Sequence, residues 1–186
     1  LFLYGKENNE LKMDEQVARL IYGGIVGDTG RFLFPSTRNI TFQYASQLIE
    51  YPFDRTELYN GLYSIDENIA RLRGYVLQNF TMSKNGVSSI KITKKILDEY
   101  NVEPIETSKL VGILGEIKNM KAWVLFIEEE DTIRVRLRSK GPVINELAAK
   151  YDGGGHPLAA GAKVNNWDEA DQLISELDEL CANWGE

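Results

Sequence analysis

Three short stretches hold residue types that could do chemistry. The first is Ile25-Val26-Gly27-Asp28-Thr29-Gly30-Arg31-Phe32. An aspartate placed where a helix ends between glycines offers a carboxylate on backbone that a metal or a phosphate can approach closely. The bland account is an aspartate in a turn, bonded to nearby backbone. On these residues alone both accounts stay open. Asp-Thr-Gly also occurs in aspartic proteases, where two carboxylates share one proton. That site needs an all-β setting and a second copy, whereas a helical pattern precedes the motif here, so that reading is rejected.

The second stretch is Arg134-Val135-Arg136-Leu137-Arg138-Ser139-Lys140-Gly141. Strand side chains alternate faces, which puts Arg134, Arg136, Arg138 and Lys140 on one side and Val135 and Leu137 on the other. Four cations on one face repel each other without an anionic partner, and the guanidinium fork suits a phosphate. A solvated face, or a charged edge that blocks aggregation, would use the same residues. Acids from Glu128 to Asp131 could neutralise it.

The third stretch is Tyr151-Asp152-Gly153-Gly154-Gly155-His156-Pro157-Leu158, followed by the small residues Ala159-Ala160-Gly161-Ala162. Three bare glycine amides can form a nest for an anion. They are costly in entropy for a mere turn, which favours function over a tight helix-to-strand connection. His156 can donate to a phosphate or stack on a base, and the small residues let another surface come close. A triad of Ser139, His156 and Asp152 can be written down, but no nucleophile-elbow pattern supports it. Trp123, Trp167 and Trp184 read as core or rim aromatics, and Cys181 as a small buried hydrophobe.

The elements that must position these groups can be read from periodicity. Val17, Leu20, Ile21 and Ile25 have helical spacing, with Asp14 and Glu15 at the favourable end of the dipole. Ser36 or Thr37 could cap a second helix carrying Ile40, Tyr44, Leu48 and Ile49, which ends at Tyr51-Pro52. Residues 52–64 look like a boundary, and a fresh helix follows around Asp66–Gln78. Phe80–Met82 and Val87–Ile92 read as a hairpin turning at Lys84-Asn85-Gly86. Thr93–Tyr100 and Ser108–Lys118 read as helices. Ala122–Glu128 and Ile133–Ser139 form a second hairpin about an acidic turn. Val143–Tyr151 reads as helix, Pro157–Val164 as strand and Asp168–Asn183 as a closing amphipathic helix. Since the basic strand and the glycine segment flank the 143–151 helix, they could converge.

Composition narrows the class. The 186 residues are 43% hydrophobic and 26% charged, with 21 Lys and Arg against 28 Asp and Glu, a net charge of −7. That balance suits a globular protein and argues against wholesale coating of nucleic acid, while leaving room for a small basic patch. One cysteine excludes an intramolecular disulfide or a Cys-rich zinc site and fits a reducing, cytoplasmic setting. One histidine excludes any site built from two imidazoles of this chain. No apolar run is long enough for a membrane span, and Leu1-Phe2-Leu3-Tyr4-Gly5-Lys6 does not read as a signal peptide.

In this order and spacing the three stretches resemble the DHH family of phosphoesterases, most closely its bifunctional oligoribonuclease and pAp phosphatase branch, the nanoRNase type. Gly24–Phe32 resembles the family's fourth metal-site motif. Residues from about Leu62 onward resemble its DHH-associated C-terminal domain, through Arg136–Asn145 to Gly153-Gly154-Gly155-His156. The match runs over essentially the whole chain.

This resemblance implies an α/β protein: the tail of a DHH catalytic domain over 1–50, a linker over 51–64, and an α+β substrate-binding domain over 65–186. That second domain would have a mainly antiparallel sheet with flanking helices. It further implies Asp28 as a catalytic carboxylate and ligand of a manganese (Mn2+) pair. Arg136, Arg138, Ser139, Lys140, Asn145, Gly153, Gly154, Gly155 and His156 would hold the substrate's phosphate or base. The family's first three motifs, with the Asp-His-His that names it, are missing. The chain is therefore expected to be a C-terminal portion that binds manganese weakly and hydrolyses nothing alone.

The parent activity implied is manganese-dependent hydrolysis of very short RNA to mononucleotides and removal of the 3′-phosphate of pAp. Partners would be short RNA, dinucleotides and pAp, with no membrane; a homodimer of the intact protein is allowed for. Two other readings share these motifs: a cyclic- or linear-dinucleotide phosphodiesterase, and a non-catalytic RNA-binding module of the kind appended to alanyl-tRNA synthetases. The Asp28 motif favours the enzyme, since a pure binding module has no use for it.

Overall fold

The computed structural model describes Glu7, residues 12–35 and residues 37–185. The capping role considered for Ser36 and the reading of Leu1–Lys6 lie outside the described residues. The chain divides into two compact units that meet between Ser64 and Ile65.

The first unit is helical. Helix α1 (Glu15–Asp28) starts where the Asp14 carboxylate accepts the Val17 N–H at 3.1 Å. Its buried residues are Ala18, Tyr22 and Val26, spaced four apart along one stripe. That stripe lies one position on from the expected Val17–Leu20–Ile21–Ile25 face, and Leu20 is 68% exposed. Helix α2 (Asn39–Leu48) begins at Arg38, not at Thr37; Thr41 Oγ1 accepts the Arg38 N–H at 3.2 Å. It buries Ala45 and Leu48, and the expected inward residues Ile40 and Ile49 face outward.

Residues 51–64, expected as a linker, are folded into this unit. Asp54 caps helix α3 (Arg55–Tyr63), and Phe53 and Leu58 join the core of Ala18, Tyr22, Val26, Ala45 and Leu48. Their polar composition hid a helix with a single buried residue, Leu58.

The second unit holds a six-stranded sheet. Helix α4 (Glu67–Asn79) leads into β1 (Thr81–Met82) and β2 (Val87–Ile92), a hairpin whose turn uses Gly86 at φ +82°. Helix α5 (Lys94–Tyr100), capped by the Thr93 hydroxyl, and two 3₁₀ segments (Pro104–Leu110 and Ile113–Glu116) then cross to β3 (Ala122–Glu128). That crossover makes β2 and β3 parallel, as helical connections between neighbouring strands do. A hairpin joins β3 to β4 (Ile133–Ser139); helix α6 (Asn145–Ala149), strands β5 (Gly154–His156) and β6 (Ala159–Val164), and helix α7 (Trp167–Ala182) complete the chain. The strand order is β1-β2-β3-β4-β6-β5, antiparallel apart from β2–β3.

Two expectations change here. The helix expected over 108–118 is a pair of 3₁₀ turns, broken at Gly112. The Trp123 indole takes the Val111 carbonyl at 2.6 Å, an acceptor that a continuous α-helix would need for its own ladder. A Cβ on Gly115 would lie 2.7 Å from the same indole, so the glycine lets the ring in. The glycine segment is also no loop: Gly154–His156 is the edge strand β5, and Pro157-Leu158 is the turn before β6.

The two sheet faces have different covers. On one, α6 and α7 pack Leu147, Leu173, Leu177 and Cys181 against Val124, Phe126, Val135 and Leu137. On the other, α4, α5 and the 3₁₀ segments pack Ile69, Leu72, Leu97 and Leu114 against Ile90, Ile92, Leu125 and Ile127. This second cover lies over β2 and β3. The same face of β4, β6 and β5 carries no buried apolar side chain, and it forms the groove described next.

Candidate functional site

Alternation on β4 sends Ile133, Val135 and Leu137 into the core and leaves Arg134, Arg136 and Arg138 half-buried on the other side. The register aligns Trp123, Arg138, Ala159 and His156 in one row across the sheet. The next row is Leu125, Arg136, Gly161 and Gly154, and beyond it Ile127, Arg134 and Lys163. Directly paired residues share a face, so β6 and β5 contribute a floor of small residues beside the arginines. The result is a groove of about 430 Å³ lined by Arg134, Arg136, Arg138, Lys163, Gly154 and Asp152, among others.

Because β4 is an interior strand, hydrogen-bonded on both sides, the charged-edge account of its arginines does not apply. Neutralisation by the acidic turn reaches one of them. Glu129 accepts from Arg134 Nε at 2.5 Å and from Nη2 at 3.2 Å, which raises the Arg134 pKa. Arg136 and Arg138 have no carboxylate partner among the described residues. Burial, then repulsion from the neighbouring guanidinium, lowers the pKa of each. Arg136 Nε is buried without a hydrogen-bond partner, and Arg138 Nη1 reaches only the carbonyl of Leu137 at 2.7 Å. Partly desolvated cations with unspent donors are stabilised by an anion that accepts from them, most strongly one that takes both arms of a fork.

The three glycines have separate reasons to be glycine. A Cβ on Gly153 would lie 2.2 Å from the Gly161 carbonyl oxygen and 2.7 Å from that of Ala148. Gly155 has φ +136°, and its Cβ would sit 2.7 Å from the Ala159 oxygen. Both are demanded by close backbone approach. Gly154 differs: a Cβ there would meet nothing within 4 Å, so its missing side chain is open groove.

The remaining expected residues divide. Ser139 lies on the core face of β4, away from the arginines. Its hydroxyl accepts the Gly141 N–H at 3.0 Å and donates to the Lys121 carbonyl at 3.4 Å. It shapes the turn after β4 and makes no triad with His156. Lys140 points its ammonium to the Ile117 carbonyl at 3.2 Å and does not line the groove. Asn145 opens α6, and its Oδ1 is buried without a partner. His156 is exposed at the end of β5, in the Arg138 row, and is not among the residues that line the groove.

Sequence reasoning missed Lys163 and weighed Asp152 only as a triad member. The alternation Ala159, Gly161, Lys163 was the available signal for the first. Asp152 has φ +49°, a left-handed conformation that aspartate tolerates.

Asp28 is the exposed last residue of α1, in the first unit. Beside it, Thr29 is buried, donating to the Ile25 carbonyl at 2.7 Å and accepting the Phe32 N–H at 3.0 Å. Gly30, Arg31 and Phe32 follow in left-handed conformations at φ +53°, +61° and +65°. The threonine is the structural residue of this motif, and the aspartate is left free. Among the described residues, no three His, Cys, Asp or Glu side chains gather as a metal site would require. Nor is any helix among them long and apolar enough to cross a membrane.

Comparison with known proteins identifies the family. Residues 87–183 match the DHHA1 domain. The chain is 53% identical over 181 residues to a bifunctional oligoribonuclease and PAP phosphatase from Bacillus subtilis, covering 97% of this chain and 58% of that protein. It is 45% identical over 173 residues to a probable enzyme of the same kind from Streptococcus mutans, covering 92% of this chain and 56% of the relative. Among solved structures, an exopolyphosphatase-related protein from Bacteroides fragilis superposes with a TM-score of 0.82. It is 28% identical, over 90% of this chain and 52% of that one. The chain thus spans somewhat over half the length of the relatives it matches.

Proposed function

From the premise that the chain belongs to the DHH phosphoesterases and carries their DHHA1 domain, we propose that it is the substrate-binding portion of an enzyme that hydrolyses very short oligoribonucleotides and removes the 3′-phosphate of pAp. The relatives from Bacillus subtilis and Streptococcus mutans are named a bifunctional oligoribonuclease and PAP phosphatase, the second as a probable one. The observation that carries the reading is the pair Arg136 and Arg138: two half-buried guanidiniums with no carboxylate partner among the described residues, above a floor opened by Gly154 and Gly161.

In this reading Arg136 and Arg138 hold phosphates. His156, in the Arg138 row, contacts a terminal phosphate or base. The groove is a short trough, and gripping one end of a ligand converts a loose encounter into one with a fixed scissile bond. Manganese is the metal that the family resemblance implies. The described residues do not fit a metal pair, since Asp28 stands alone and exposed. Asp28 is at most one ligand of such a pair. What the chain's own residues do is bind the nucleotide, orient it and keep its phosphates paired. Hydrolysis is assigned to the intact enzyme, consistent with relatives of which this chain covers 58% and 56%.

Calorimetric titration with pAp and with a diribonucleotide, with and without manganese, tests the reading. Binding without turnover, weakened by Arg138→Ala, is expected. Turnover by this chain would show that its own residues suffice for the chemistry, and an Arg138→Ala variant that binds normally would remove the groove from the site.

A further inference from the structure

The groove is not evenly charged along its length. Arg134, Arg136 and Arg138 are two residues apart on one strand, so their anchor points repeat at about 6.7 Å, close to the separation of successive phosphates in an extended single strand. Such a row could follow a chain of phosphates. At one end, Arg138 and Arg136 have no carboxylate partner among the described residues, whereas at the other the Arg134 fork is spent on Glu129.

Glu129 is held where it is by the hairpin. Its N–H donates to the Thr132 carbonyl at 2.8 Å, and its neighbour Glu128 is fixed by accepting the Lys94 N–H at 2.8 Å. Glu130 and Asp131 follow in the same turn. Lys163 pairs with Arg134 in the register, so this end holds two cations near a run of four acids, Glu128 to Asp131, of which Glu129 binds Arg134. Glu129 also lines a second cavity, of about 390 Å³, where Asp98, Glu103, Glu128, Glu129 and Glu130 outnumber the single cation Lys94. Glu129 offsets part of the lowering at Arg136, the guanidinium next along the strand. A polyanion extending past Arg136 therefore meets a guanidinium already paired, then a negative surface.

We infer that Glu129 determines specificity for ligand length: by occupying Arg134 it leaves places for two phosphates and closes the groove to longer strands. This inference rests on the nucleotide-binding reading above. Glu129 acts through Arg134 and need not touch the ligand.

The test is an affinity ladder of 5′-phosphorylated oligoadenylates of two, four and six nucleotides, measured on the wild-type chain and on E129Q, E130Q and the E129Q/R134Q double variant. In wild type, affinity levels off after the shortest ligand. E129Q should bind the dinucleotide as wild type does and the hexanucleotide about fivefold more tightly, the effect of one regained exposed ion pair. The logarithmic salt dependence should steepen by about 0.7 for the hexanucleotide alone. E130Q removes the same charge without freeing Arg134 and should give a smaller gain. The double variant keeps the net charge, removes any demand on folding made by an unpaired Arg134, and should return to the wild-type ladder. Equal gains at every length, no gain in E129Q, or a gain that survives in the double variant would overturn the inference. A folded wild type that binds no dinucleotide would refute the binding reading and take this inference with it. A wild type that binds the dinucleotide with an E129Q ladder unchanged would refute this inference alone.

Discussion

Replacing Gly153 and Gly154 separately by alanine asks one question twice, with opposite expected answers. At Gly153 the new methyl would fall 2.2 Å from the Gly161 oxygen, 2.6 Å from Ala162 Cα and 2.7 Å from the Ala148 oxygen. All three are backbone atoms, of β6 and α6, so no side chain can swing away. Overpacking a fixed site costs about 1–3 kcal/mol, and contact with two elements at once places Gly153→Ala at the upper end, about 3 kcal/mol. In a chain of this size each kcal/mol moves the melting midpoint by about 2–4 °C, so a drop of about 6–12 °C is expected. At Gly154 a methyl meets nothing within 4 Å and φ is not left-handed. Removing glycine's freedom from the unfolded chain should leave stability unchanged or raise it by up to about 1 kcal/mol. The same methyl enters the groove, so Gly154→Ala should weaken dinucleotide binding while the fold is intact. Thermal denaturation followed by circular dichroism, paired with a binding titration, reads both. Equal destabilisation by the two variants would show that the floor at Gly154 is not open. A stable Gly154→Ala that binds normally would show that ligand does not use it.

Other expectations are narrower. Arg138→Ala should cost about 1.5–3 kcal/mol of nucleotide affinity, the range for a hydrogen bond to a charged group, and unchanged affinity in the titration would exclude Arg138 from the site. Burial, aided by Asp178, pushes the Cys181 thiol from 9.0 up to about 11, against the pull of Lys121. The folded chain then keeps a proton that the unfolded chain releases, so stability falls as pH rises from 9 to about 11, by at most about 2–3 kcal/mol. Cys181→Ala should flatten that part of a denaturant-derived stability profile; a parallel profile would contradict the assignment. The Asn166 side chain accepts the Glu169 N–H at 2.9 Å at the start of α7. Asn166→Ala should therefore lower stability by about 1 kcal/mol, and a variant that melts with wild type would show that the cap contributes nothing.

Much of the second unit was legible because its signals are local. Alternation alone put Arg134, Arg136 and Arg138 on one face and Val135 and Leu137 on the other, and the structure agrees. The same alternation places Ser139 with the core, although the family resemblance grouped it with the binding residues. Gly86 in the first hairpin turn, the acidic turn after β3 and the closing amphipathic helix were all read from neighbours a few positions apart. Local signals misled where the stripe was ambiguous. In α1 the small Ala18 and the aromatic Tyr22 are buried while Leu20 faces out, since which stripe is covered depends on what packs against it.

Local pattern could not decide what lies beside β4. Whether its arginines form a charged edge or a groove depends on strand order, and strand order is set by pairings between residues far apart in the chain: Arg136 with Leu125 on one side and with Gly161 on the other. Only the folded sheet shows that α4, α5 and the 3₁₀ segments cover that face over β2 and β3 but stop short of β4, β6 and β5. Only the fold separates the glycines into two required by backbone contact and one that is open space. Which residue types alternate, where the chain turns and which family it resembles are all legible in the order of residues, because those signals are local. Tertiary structure decided which cation keeps a free fork and which is already paired, because that depends on distances between side chains the sequence does not contain.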